Sequence, residues 1–343
     1  NPIIWSILIT SLSTSTIITM ASHHWMLAWL GLELNTLSIL PIIMKPHHPR
    51  ATEATTKYFL IQALAAALIL FSSTLNAWQT GLWTITHSAP TTTIITLAVL
   101  LKLGAAPVHL WYPEVLQGAT LNTALLISTW QKLAPLALLY MMHTTPQNNL
   151  LLLTGLLSTL LGGWTGLNQT QTRKIMAYSS IAHMGWILVA LHTNPQLATL
   201  TLTTYMIMTT AMFSSLNTTM TKTISDLGTS WSTSPTMMTL TLLTLTSLGG
   251  LPPLTGFMPK LLILDKLTTT PLLPLATMLA LSSLPSLFFY IRMTYMTTLT
   301  TPPNTTNTEH KWRFKATPSP NKTLMTAPAL LLMPLAPTLC MTT

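Results

Sequence analysis

Apolar runs of roughly 18 to 24 residues recur from one end of this 343-residue chain to the other, the length a helix needs to cross ~30 Å of hydrocarbon at ~1.5 Å per residue. Charged residues make up 6% of the chain and apolar residues 49%, with a mean hydropathy of +0.51. An ordinary soluble domain carries about 25% charged residues, so no soluble surface can be built from this composition. A transmembrane barrel would show alternating segments of about 10 residues, and runs such as 150–161 have no period of two. Threonine is abundant inside the runs, but its hydroxyl can bond a carbonyl one turn earlier and so stays compatible with lipid.

The expected fold is all-α, a polytopic transmembrane bundle of about eleven helices near 2–20, 25–44, 57–78, 92–112, 121–140, 149–167, 174–192, 196–219, 236–267, 273–293 and 323–342. The connections near 45–56, 79–91, 220–235 and 294–322 are too short for a separate soluble domain. The first segment lacks the charged start and cleavage site of a signal peptide and the Arg-rich pattern of a transit peptide, so it is expected to be a membrane helix.

The formal charge of +9 is spread over several loops with no aromatic-interleaved basic stripe, which argues against nucleic acid as a partner. It reads as topogenic. Loops after even-numbered helices hold Lys45, Arg50, Arg173, Lys174, Lys222, Lys311, Arg313, Lys315 and Lys322, with Lys57 and Arg292 at helix ends, while the odd loops carry His but almost no Lys or Arg. The positive-inside rule then puts the N-terminus on the negative side and, after eleven crossings, the C-terminus opposite. The single cysteine, Cys340, excludes a disulfide within the chain, a Cys-ligated iron–sulfur cluster and a CxxC redox pair. The adjacent pairs His23-His24 and His47-His48 cannot make the i, i+4 geometry of a helical metal site and are expected in loop or headgroup contacts, so no metal is expected. The glycines at 249, 250 and 256 lack a strand–turn–helix setting, and no Walker lysine motif is present.

Helix breakers interrupt two segments. One reads Lys102-Leu-Gly-Ala-Ala-Pro107 and the other Leu248-Gly-Gly-Leu-Pro-Pro-Leu-Thr-Gly256 before Pro259-Lys260. The second follows the first by an odd number of crossings, as expected for two inverted five-helix repeats over 1–140 and 149–293, with an extra helix at 323–342. Isolated Pro and Gly kinks are common in membrane helices, but two breaks at corresponding positions, each near a lysine, favour a pathway built on discontinuous helices.

An ionisable side chain at the bilayer centre costs ~2.5 to 3.5 kcal/mol on insertion scales and so marks proton or ion routes. Glu33, Lys102, Lys132 and Lys260 meet that description. Glu33 and Lys102 are expected to approach each other as a coupled pair, against a static ion pair. Lys132, in Trp130-Gln-Lys-Leu-Ala-Pro135, suits a relay or a side chain that snorkels to headgroups, and Lys260 shares that ambiguity. His183, among the hydroxyls of Ser179-Ser-Ile-Ala-His-Met-Gly-Trp186, and His109 beyond Pro107 could extend a relay or simply pack. Glu114 is expected to be a solvated carboxylate rather than a proton entry residue, and Arg173 and Lys174 to fix topology.

Glu33 in Trp-Leu-Gly-Leu-Glu-Leu-Asn, Lys102-Leu-Gly-Ala-Ala-Pro-Val-His109, Trp111-Tyr-Pro-Glu-Val-Leu-Gln-Gly118, Trp130-Gln-Lys-Leu-Ala-Pro135, Gly166-Leu-Asn-Gln-Thr-Gln-Thr-Arg-Lys174 and Gly250-Leu-Pro-Pro-Leu-Thr-Gly-Phe257 resemble the mitochondrial NADH dehydrogenase subunit 2 family. This is an antiporter-like membrane subunit family of respiratory complex I, related to cation/proton antiporters, and the likeness runs through nearly the whole chain. It implies a mitochondrial inner-membrane protein, N-terminus on the matrix side and C-terminus on the intermembrane-space side. The implied partners are other complex I subunits, especially neighbouring antiporter-like and small membrane-arm subunits, together with membrane lipids. Flavin mononucleotide, iron–sulfur clusters, NADH and ubiquinone would be handled by other subunits, with no cofactor in this chain. The family's pathway residues fall on Glu33 and Lys102 as a glutamate–lysine pair, Lys132 as the central bridge and Lys260 as the distal lysine. The family's shortened form also suits eleven helices. This chain departs from the pattern at Leu261, where the family has an aromatic residue, and in an acidic cluster reduced to Asp265 beside Lys266. The expected function is coupling of NADH:ubiquinone electron transfer to proton translocation as one subunit of the enzyme. A structural scaffold of the membrane arm and a free-standing cation/proton antiporter are the rival readings.

Overall fold

Serine and threonine compete with the backbone for hydrogen bonds and are indifferent helix formers, yet they fill the helices of this chain. The computed structural model, which describes residues 2–85, 89–143, 148–232, 235–298 and 321–335, shows why they are tolerated. Their hydroxyls donate back to the carbonyl three or four residues earlier, as Thr16 does to Ser13, Ser179 to Met176 and Thr201 to Ala198. Hydroxyls of this kind are thus satisfied within their own helix, and the apolar face is left for packing or lipid.

The helices are α1 (Pro2–Ala21), α2 (Trp25–Met44), α3 (Pro49–Thr80), α4 (Ala89–Leu103), α5 (Trp111–Gly118), α6 (Leu121–Ser128), α7 (Leu133–Met141), α8 (Asn148–Gly166), α9 (Thr172–Thr193), α10 (Pro195–Thr219), α11 (Ile224–Thr229), α12 (Pro235–Gly249), α13 (Phe257–Thr269), α14 (Leu273–Thr298) and α15 (Asn321–Leu331). No strand is present among the described residues. Among the described residues, seven helical stretches are long and apolar enough to span a membrane, one of them, Leu121–Met141, with a 3-10 turn inside it.

All eleven expected segments are occupied by helix, with four corrections. The third helix starts at Pro49 rather than 57, because His48 caps it by accepting from the Arg50 N–H and Pro49 fits the first turn. The connection at 220–235 holds α11, closed by a capping box between Thr223 and Asp226. The 121–140 segment is interrupted by a 3-10 turn at Trp130–Lys132. The broken segment near 92–112 extends to Gly118. The last segment is described only to residue 335, and Lys311, Arg313, Lys315 and Cys340 lie outside the described residues. The histidine pairs are not merely loop contacts. His24 caps α2 by accepting from the Met26 N–H and stacks on Trp83, and His48 caps α3.

The chain divides into two compact units, residues 1–158 and 159–343. In the first, α2 packs between α1 and α3, α3 carries α4 and α5, and α7 lies against α1, α2 and α4. In the second, α10 packs on α9, α12, α13 and α15, while α14 lies against α11, α12 and α13. Arg292 of α14 donates to the carbonyls of Leu167 and Gln169, tying α14 to the end of α8 rather than serving only as a topogenic charge.

Each unit contains one broken helix, and the two breaks are built alike. Gly104 donates to Leu101 O and Ala105 to Leu100 O; Gly250 donates to Ser247 O and Leu251 to Thr246 O. These are Schellman closures, with glycine at the left-handed position (φ 69° and 80°). The chain then runs Gly-x-x-Pro-x-x-x-aromatic-x-Pro-charge through Gly104, Pro107, Trp111, Pro113 and Glu114, and through Gly250, Pro253, Phe257, Pro259 and Lys260. Each break restarts its second half-helix at the aromatic residue.

Two outcomes follow from these closures. Gly104→Ala forces a side chain into a left-handed site, where its Cβ would lie 3.2 Å from Tyr112 Cβ; a cost of ~1–2 kcal/mol is expected, read as a lowered melting temperature of the assembled complex. At α11, part-burial draws the Asp226 carboxyl upward, but the N–H groups of Thr223 and Lys222 and the Lys222 charge outweigh it and hold the pKa below the ordinary value. A depressed folded value means the stabilisation is complete above ~3.9 and lost as pH falls through the lower folded value. Asp226→Asn should therefore weaken hydrogen-exchange protection of 222–229 by ~1 kcal/mol at neutral pH and by nothing in strong acid.

Candidate functional site

In a hydrocarbon setting a polar side chain inside a helix must find a partner or water, so polar residues gather where the helices are broken. In the first unit they gather around a small cavity of about 10 Å³ lined by Asn35 and Thr36 of α2, Tyr58 and Gln62 of α3, Lys102 at the end of α4, Trp111 and Tyr112 of α5, and Gln131 and Lys132 of the 3-10 turn. Lys102 and Lys132 are 6% and 3% exposed, so two of the candidate cations share one buried space. Burial of Lys132 removes the snorkelling alternative, because its ammonium sits 5.0 Å from the centre of the Tyr112 ring and inside the unit.

Lys102 Nζ is buried with no protein hydrogen-bond partner among the described residues, and so is Glu33 Oε2. The two residues were expected to approach each other. No ion pair within 4 Å joins them among the described residues, although the Glu33 carboxylate acts electrostatically on both Lys102 and Tyr58. The gap has a physical reason. Lys102 lies in the last turn of a half-helix and lines the cavity, while Glu33 lies midway along α2, partly exposed and outside the cavity lining. A pair separated in this way needs a bridging group, and the space beside Lys102 has room for about one water.

Three amides line or cross this space. Gln131 Nε2 donates to Asn35 Oδ1 at 3.1 Å, the Tyr58 hydroxyl lies 3.5 Å from Gln131 Oε1, and Gln62 Nε2 lies 3.4 Å from the Lys102 carbonyl at the end of α4. Sequence reasoning singled out the charges and passed over Asn35, Tyr58, Gln62 and Gln131. The signal was the same one: polar residues inside apolar runs.

The second unit has a small cavity of about 10 Å³ lined by His183 and Trp186 of α9, Thr201, Thr204, Tyr205 and Met208 of α10, and Gly256, Pro259, Lys260 and Ile263 at the start of α13. Lys260 Nζ donates to the Gly249 carbonyl at 2.9 Å, at the negative end of the α12 dipole, and lies 6.0 Å from the Trp186 ring. His183 packs its ring 5.5 Å from that of Tyr205. His183 and Lys260 therefore line one cavity, as Lys102 and Lys132 line the other. Leu261, Asp265 and Lys266 point to exposed positions on α13, so the departures from the family pattern lie outside this lining. The lysines are not placed alike. Lys102 is on the first half-helix of its break, and Lys260 is on the second.

His109 lies in the unwound stretch between α4 and α5. It is buried, with Nδ1 3.1 Å from Pro107 O and Nε2 without a partner, and it is not among the residues lining the first cavity. Glu114 is exposed and pairs with Lys57 at 2.7 Å, alongside Glu53 at 2.5 Å, which agrees with a solvated carboxylate. No cluster of His, Cys, Asp and Glu capable of holding a metal occurs among the described residues.

The family model for the membrane region of NADH:quinone oxidoreductases and Mrp antiporters matches residues 22–285, and the model for the NADH dehydrogenase subunit 2 C-terminus matches residues 287–340. NADH-ubiquinone oxidoreductase chain 2 of Salmo salar is 54% identical over 98% of this chain and 97% of its own length, and that of Squalus acanthias is 51% identical over 100% and 99%. Among solved structures, a chain of respiratory complex I from Thermus thermophilus with bound aureothin superposes with a TM-score of 0.82 at 26% identity, covering 97% of this chain and 79% of its own. A chain of the Mrp complex from Dietzia shares the fold, with a TM-score of 0.78 at 17% identity over 86% and 61%. This chain belongs to the NADH dehydrogenase subunit 2 family, the antiporter-like membrane subunits of NADH:ubiquinone oxidoreductase.

Proposed function

We propose that this chain moves protons across the mitochondrial inner membrane as part of complex I, through Glu33, Lys102 and Lys132 in the first unit and His183 and Lys260 in the second, with His109 beside the first break. The observation that carries the reading is the single buried cavity holding both Lys102 and Lys132, with the Lys102 ammonium unpartnered. A structural lysine in an apolar setting is expected to be hydrogen-bonded or ion-paired, because an unpaired buried charge costs several kcal/mol. One that is left unpartnered beside polar walls and a second lysine is poised to exchange its proton with water.

In this reading residues 1–140 and 149–293 are two five-helix repeats, and each contains one broken helix with a cavity beside it. Transfer means that one amine gains the proton another loses, so the net charge of the cavity is kept while the charge moves. Moving one charge against 100 mV costs ~2.3 kcal/mol, and nothing in this chain supplies that energy. The drive comes from quinone reduction in partner subunits, which also hold the flavin, the iron–sulfur clusters and the NADH site. The neighbours are antiporter-like and small membrane-arm subunits, the N-terminus faces the matrix and the C-terminus the intermembrane space. The polar loop charges support that orientation.

Glu33→Gln removes the carboxylate and keeps its shape. In assembled complex, NADH:quinone turnover and proton pumping should both fall on the order of 100-fold, the scale associated with loss of a positioned proton carrier. Unchanged turnover and pumping in a normally assembled complex would make the chain a scaffold.

A further inference from the structure

The amide pair Gln131–Asn35 has no place in a relay, because a neutral amide neither releases nor takes up a proton under physiological conditions. Its position is nevertheless specific. Asn35 follows Glu33 by two residues on α2, and Gln131 precedes Lys132 by one in the 3-10 turn that interrupts α6 and α7. The hydrogen bond between them, 3.1 Å long, therefore ties the element bearing the carboxylate to the element bearing the central lysine. Asn35 is 2% exposed, so the contact is made in the interior, facing the cavity that Lys102 and Lys132 share.

The turn needs such a tie. A 3-10 stretch holds its residues less firmly than an α-helix, and the Trp130–Lys132 turn has no side-chain cap at its start. The Gln131 amide donates to Asn35 Oδ1 while its oxygen faces the Tyr58 hydroxyl at 3.5 Å, so both ends of the amide are oriented by neighbouring helices. A fixed Gln131 fixes the direction of the next residue, and Lys132 is held over the Tyr112 ring.

We infer that Gln131 is a positioning residue: its hydrogen bond to Asn35 braces the Lys132 turn against α2 and holds the Lys132 ammonium over the Tyr112 ring, in the cavity it shares with Lys102. This rests on the relay reading of Glu33, Lys102 and Lys132.

The test uses assembled complex carrying Gln131→Met, which keeps the length and removes both hydrogen bonds. Turnover should fall by up to about tenfold, the fold-change of one lost interior hydrogen bond. The double exchange Asn35→Gln with Gln131→Asn rebuilds an amide pair of the same total length and should restore most of that loss, which a merely structural disturbance would not allow. Asn35→Leu removes the same hydrogen bond from the α2 side and should give a loss of similar size, which keeps the test decisive if the methionine variant does not assemble. Wild-type turnover in Gln131→Met or Asn35→Leu, or no recovery in the double exchange, overturns the inference. Lys102→Met separates the two levels. If it pumps normally the relay reading itself is wrong, whereas loss of pumping there with wild-type behaviour at Gln131 defeats only the positioning role.

Discussion

A helix that unwinds inside hydrocarbon leaves carbonyls and N–H groups that lipid cannot satisfy, and everything specific about this chain depends on how two such breaks are closed. Both use the same device. A glycine in the left-handed region ends the first half-helix, two backbone hydrogen bonds seal its last turn, and a proline three residues later lies in the turns that lead to the second half-helix, which begins at an aromatic residue. The carbonyls left over are then met by side chains. Gln62 faces the end of α4, and the Lys260 ammonium meets the end of α12.

The polar cavities follow from that arrangement. Half-helix ends and the side chains that serve them cannot face lipid, so they face inward, and the charges collect there. The two units solve the same backbone problem with different charge placement: the lysine of the first break is unpartnered in a cavity with a second lysine, and the lysine of the second break is bound to a helix end under Trp186. An unpartnered cation is costly to keep and able to exchange its proton, while a helix-capped one is held. The first cavity is therefore the better candidate for exchange during turnover, and the second for a site that holds its charge until its surroundings change.

Much of this was legible in the sequence because lipid leaves few solutions. Run length gave the helices, and the Gly and Pro clusters beside Lys102 and Lys260 gave the breaks. What was not legible depended on interactions between segments. The start of α3 was missed because its first two turns carry Arg50, Glu53 and Lys57 and read as a loop, although Pro49 and the His48 cap begin a helix there. The 3-10 turn at Trp130–Lys132 has no glycine and only Pro135 nearby, so nothing local announces it. The Glu33–Lys102 gap and the shared cavity of Lys102 and Lys132 arise from packing of α2, α4 and the turn, which periodicity does not report. His109, which the sequence offered as a relay or a packing residue, is buried and does not line the first cavity.

The central claim is that Lys102 changes protonation as the complex turns over, and Lys102→Arg tests it most directly. Arginine keeps the positive charge and much of the length but does not give up its proton in a protein. Proton pumping and quinone turnover should be measured on complex whose assembly is verified on the same preparation. The account predicts normal assembly with pumping lost; pumping at the wild-type level would show that Lys102 serves only as a fixed positive charge.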